Sequence, residues 1–77
     1  LKYQHPASDQ FRKGLLRALK LKNISQRQAS LQAGYNENML NHFITNGTDI
    51  KLVNLARVCD SIGFDLLSVF ELGRDID

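Results

Sequence analysis

Between residues 36 and 46 the chain carries Asn36, Glu37, Asn38, Asn41, His42 and Asn46, a run of amides, one carboxylate and one imidazole. Such groups donate and accept hydrogen bonds; catalysis would need a nucleophile, an acid–base pair or a metal in register with them. None is in register. His5, His42 and Cys59 lie far apart with no ligand-like spacing, which argues against a metal site. No Ser-His-Asp order, glycine-rich phosphate loop or carboxylate pair invites an enzymatic reading, and no cofactor or small-molecule ligand is implied. The chemistry on offer is non-covalent recognition.

Those side chains need a scaffold, and the stretch from Ser25 to Thr45, SQRQASLQAGYNENMLNHFIT, supplies one. Ser25 and Gln28 form a capping box that starts a helix running to about Ala33. Gly34 then offers the positive φ of a tight turn. Tyr35 follows as an apolar anchor placed to staple against Leu40, and Asn36 is the next cap. The second helix of the pair runs from about Glu37 to Ile44 or Thr45, with Met39, Leu40 and Phe43 inward and Glu37, Asn38, Asn41 and His42 outward. Ala29, Ser30 and Ala33 are small where two steeply crossing helices must touch. Small residues, a turn glycine and a polar outer face in this order predict a helix-turn-helix, whose commonest use is to lay one helix in the DNA major groove.

Three more helices flank this unit. Pro6 and Ser8 mark the start of the first, with Ser8 or Asp9 as cap; Phe11, Leu15, Leu16, Ala18 and Leu19 recur at helical spacing through about Leu21. Its opposite face holds Arg12, Lys13, Arg17 and Lys20, and Lys22-Asn23 ends it. After an Asn46-Gly47-Thr48 turn, Asp49 is placed to cap a helix with Leu52, Leu55, Ala56, Val58, Cys59 and Ile62 on its apolar face, ended by Gly63. Asp65 caps a last helix from Leu66 to Leu72, ended by Gly73. The expectation is an all-α domain of five helices: an arm over residues 1–7, the folded domain over 8–73 and a tail over 74–77.

Composition bounds the rest. The 77 residues allow one small domain. The single Cys59 excludes a disulfide within the chain and fits a reducing compartment. No apolar run nears the roughly 20 residues that span a bilayer, so no membrane role is expected, and the polar N-terminus is not a secretory signal. The start at Leu1 rather than Met fits a piece of something longer. Residues 1–34 carry seven basic residues against one acid, and residues 35–77 carry three against seven. A basic half suits a polyanion, with the acidic half facing away.

In Gln26, Ala29, Ser30, Ala33, Gly34, Tyr35, Leu40 and Phe43, in LVNLARVCDSIG and in the closing DLLSVF, the chain resembles the lambda-repressor-like (Cro/Xre) helix-turn-helix family over about residues 10–72. The resemblance implies a compact five-helix bundle that binds double-stranded operator DNA as a homodimer, acting as a cytoplasmic repressor of prokaryotic or phage-encoded origin. By position it implies base contacts from Glu37, Asn38, Asn41 and His42, and phosphate contacts from Gln26, Arg27, Asn36, Asn46 and Lys51, with Gly34 in the turn. The chemistry is apt: Asn pairs bidentately with adenine, Glu accepts from the cytosine amino group, and Gln26 can donate to phosphate or brace Glu37. The chain departs from the family in having no Lys or Arg on the second helix of the motif, and Ile44 where many members place an acid that tethers helix one. Leu67 and Leu72 are more apolar than a short surface helix needs, and a dimer contact would use them. A rival reading puts a protein-interaction module on the same fold, sequestering a partner regulator or serving as an antitoxin.

Overall fold

The computed structural model describes residues 5–75, so residues 1–4 of the expected arm and 76–77 of the expected tail lie outside the described residues. Five helices follow in order: α1 (Pro6–Lys22), α2 (Gln26–Gln32), α3 (Met39–Ile44), α4 (Leu52–Ser61) and α5 (Leu66–Leu72), with no strand among the described residues. Each helix buries one stripe into a common core. Leu15, Ala18 and Leu19 come from α1, Ala29 from α2, and Leu40 and Phe43 from α3; Leu55, Val58 and Cys59 of α4, Ile62 just after it and Val69 of α5 complete it. The radius of gyration is 11.4 Å, close to the ~11.5 Å of a well-packed chain of this length.

Helix boundaries follow local chemistry. α1 starts before the expected Ser8 or Asp9 cap: His5 is the cap, its Nδ1 accepting from the Ala7 amide at 3.0 Å, with Pro6 in the first turn where a missing N–H costs nothing. Residues 5–7 therefore belong to the helix start and not to an arm. Asn23 ends α1 with a φ of 55°, as the short polar side chain allows. The capping box at α2 forms in both directions. Asp65 caps α5 through the Ser68 amide at 2.7 Å, and that hydrogen bond holds its carboxyl below the usual value. Asp49, however, does not cap α4. Ile50 packs against the core and keeps the chain extended through Lys51, so α4 begins at Leu52 with no side-chain cap.

The seam between α1 and α5 is made at backbone distance. A Cβ on Gly14 would overlap the Val69 carbonyl, and one on Gly73 would overlap the Gln10 carbonyl. Only two glycines let the chains approach so closely. α1 side chains then satisfy the carbonyls at the end of α5: Gln10 Nε2 donates to Phe70 O at 2.8 Å, and Arg17 Nη1 to Leu72 O and Arg74 O at 2.7 and 3.0 Å. Placing a guanidinium there also complements the negative end of the helix. Phe11 and Phe70 close the seam with ring centroids 4.6 Å apart.

This packing changes the meaning of the charge asymmetry. Lys13 and Arg17 pair with Asp75 at 2.6 and 3.2 Å. Arg12, expected on a solvated face, keeps only 11% of its side chain exposed. It donates to Asp9 Oδ1, Phe43 O and Gly47 O and stacks over the Phe43 ring. The basic half of the sequence thus folds onto its acidic half, and the tie from α1 to the end of α3 runs to carbonyls, with no acid needed at Ile44.

Candidate nucleic-acid interface

α2, the turn and α3 are joined by one buried hydroxyl. Ser30 is fully buried; its Oγ donates to Gln26 O at 2.9 Å and accepts from the Leu40 amide at 3.1 Å. The second bond satisfies an amide in the first turn of α3 that has no partner within its own helix. A small residue was required here by sequence; that it must also be a hydroxyl was signalled only by a polar residue at an otherwise apolar position. Gly34 has a φ of 87° with nothing near its missing side chain, as the turn demands. Tyr35 N donates back to Ser30 O at 2.9 Å while its hydroxyl donates to Asn54 Oδ1 at 2.8 Å, which anchors the turn to α4.

α3 begins later than expected. Asn36 Oδ1 accepts from the Asn38 amide at 2.9 Å, an Asx turn that places Glu37 and Asn38 in the turn and starts the helix at Met39. Glu37, Asn38, Asn41 and His42 are all exposed, as are Arg27, Asn36, Asn46 and Lys51, while Gln26 is half-buried. Of the expected outward residues, then, Asn41 and His42 project from the helix and Glu37 and Asn38 from the turn before it.

Hydrogen bonds pair some of these groups, and others line two surface hollows. At one end Lys20 and Gln26 line the same surface hollow between α1 and α2. Arg27 Nε donates to Glu37 Oε2 at 2.8 Å, so the partner of Glu37 is Arg27 and not Gln26. Asn46 Nδ2 and His42 Nδ1 lie 3.2 Å apart, and Thr48 N donates to His42 O at 3.0 Å. At the other end His42, Asp49 and Lys51 line a second hollow. Lys20 and Lys51 make no ion pair among the described residues, so one unpaired cation stands at each end of a mostly neutral amide strip.

Elsewhere the chemistry is quiet. Burial, aided by Asp60 and Asp65, pushes the Cys59 thiol up to about 11, which keeps it protonated and packed. No group of His, Cys, Asp and Glu among the described residues could hold a metal ion, and no helix there is long and apolar enough to cross a membrane. Leu67 is 69% exposed beside a hollow lined by Ala7, Phe11, Leu66 and Phe70. Leu72 is partly buried against the core.

No family model, curated protein or solved structure matches the chain.

Proposed function

We propose that the chain is the DNA-binding domain of a transcriptional regulator, a helix-turn-helix of lambda-repressor-like type that lays α3 in the major groove. The observation that carries this reading is the Ser30 bridge. It locks α2 to the start of α3 while the side chains of Asn38, Asn41, His42 and Lys51 stay exposed. Asn38, Asn41 and His42 read base edges, and Glu37 joins them. Gln26 and Lys51, with Asn36 and Asn46 beside the reading residues, meet phosphate from opposite ends of the strip. Lys20, next to Gln26, joins the phosphate set. Two copies meeting at Leu67 would present two α3 helices to a palindromic operator, whose half-sites lie about 34 Å apart, and promoter occlusion would follow.

Titration of the preferred duplex tests the division of labour. Asn41→Ala costs roughly 1–3 kcal/mol and relaxes preference at one base pair, whereas Lys51→Ala weakens every duplex alike and lowers the salt slope by about 1. An Asn41→Ala loss shared equally by all duplexes removes Asn41 from base reading, and an unchanged slope removes Lys51 from the phosphate set. A second reading, a protein-interaction module, draws on α3 having no Lys or Arg and on the exposed Leu67 beside its apolar hollow. Retained capture of a protein partner by a chain that binds no duplex would favour it.

A further inference from the structure

The Arg27–Glu37 pair is the one ion pair inside the strip, and it joins two residues whose separate roles conflict. A carboxylate at the start of α3 would approach phosphates uncompensated if Arg27 were itself spent on phosphate. The geometry resolves the conflict. Arg27 sits in the first turn of α2, a helix fixed by its capping box, while Glu37 sits in the Asx turn that leads into α3. Arg27 Nε donates to Glu37 Oε2 at 2.8 Å, and Glu37 Oε1 has no partner among the described residues. Both side chains are well exposed, 68% and 47%, so the pair adds little to stability. Its effect is on orientation: it takes up one carboxylate oxygen, leaves the other as a bare acceptor, and cancels the charge.

We infer that Arg27 is a positioning residue and not a phosphate contact. It holds Glu37 so that Oε1 accepts from the exocyclic amino group of a cytosine in the major groove. A single accepting carboxylate oxygen suits the cytosine amino group, whereas adenine offers its amino group beside a ring acceptor that an amide matches better. The favoured half-site therefore carries a C·G pair at the position facing Glu37. This rests on the DNA-binding reading above and sharpens it: a motif helix without Lys or Arg selects cytosine through a braced carboxylate, in place of guanine through arginine.

Parallel selections from randomised duplex DNA with the unmodified chain, Arg27→Ala and Glu37→Gln test this. The unmodified chain is expected to enrich cytosine at one position of each half-site. Both variants should lose that preference, about tenfold or more, at that position alone and keep the rest of the site. Arg27→Ala combined with Glu37→Gln, which keeps the net charge of the pair at zero, should leave the salt slope unchanged, and Arg27→Ala alone should leave the unfolding midpoint within about 2 °C. Arg27→Lys keeps the charge but not the planar donor and should recover only part of the preference. An Arg27→Ala chain that retains the cytosine preference, binds all duplexes more weakly and loses about one unit of salt slope would make Arg27 a phosphate contact and overturn the inference. So would a Glu37→Gln chain with an unaltered site. Should the unmodified chain enrich no sequence, the DNA-binding reading fails, and the inference with it, an outcome distinct from the first two.

Discussion

α1 meets α5 through backbone, and α2 meets α3 through a hydroxyl. In the first seam Gly14 and Gly73 bring two chains into direct contact, and Gln10, Arg17, Lys13 and Asp75 close over the end of α5. In the second, Ser30 joins two short helices by one bridging oxygen, and the polar groups beyond it face outward. The difference separates two tasks. The α1–α5 seam spends its charged side chains internally and serves as the frame. The α2–α3 unit spends one small side chain on its joint and leaves Asn38, Asn41 and His42 exposed.

The sharpest way to break this division is at Gly14. An exposed helical glycine gains about 1 kcal/mol on change to alanine. Here the added Cβ would overlap the Val69 carbonyl, so Gly14→Ala should reverse that sign and cost about 3 kcal/mol or more; a neutral result in urea unfolding would mean the seam is looser than described. Arg12→Met comes next. It strips donors from Phe43 O and Gly47 O and should cost about 2 kcal/mol. The same change should loosen the turn that carries Asn46, visible as faster amide exchange there. Ser30→Ala leaves the Leu40 amide unpaired inside the core and should cost about 1–2 kcal/mol, measured by the same unfolding. It should also weaken duplex binding, because it frees the start of α3.

The smallest effect is acid sensitivity. Asp65 and Asp75 bracket α5, and both carboxyls sit below the ordinary value of 3.8, Asp65 through the Ser68 amide and Asp75 through Lys13 and Arg17. A carboxyl lowered on folding contributes stability above its unfolded pKa and loses it as pH falls through the folded one. Stability should therefore decline below about pH 4, and Asp75→Asn should flatten part of that decline in a pH series of unfolding midpoints. An unchanged pH profile would remove the Asp75 clasp from the frame.

Local signals in the sequence carried most of the fold. The Ser25–Gln28 box, Asn23, Gly34 and Asp65 act within four residues of themselves, and each does what its chemistry dictates. Long-range effects were illegible. Arg12 reads as a surface cation because its acceptors are carbonyls 31 and 35 residues away. The need for glycine at Gly14 carries no local signal, because its reason lies in the backbone of α5. Asp49 has the type of a cap, but Ile50 is claimed by the core first. At the candidate site periodicity gave the outward positions of Asn41 and His42, but the Asx turn at Asn36 took Glu37 and Asn38 out of the helix. The Arg27–Glu37 pair joins α2 to that turn across ten residues.

Selection of duplexes by the unmodified chain from a randomised pool at moderate salt, followed by sequencing, tests the central claim most directly. The account predicts an enriched palindrome with half-sites about one helical turn apart. A pool that emerges unenriched, from a chain shown to be folded by its cooperative unfolding, would contradict it.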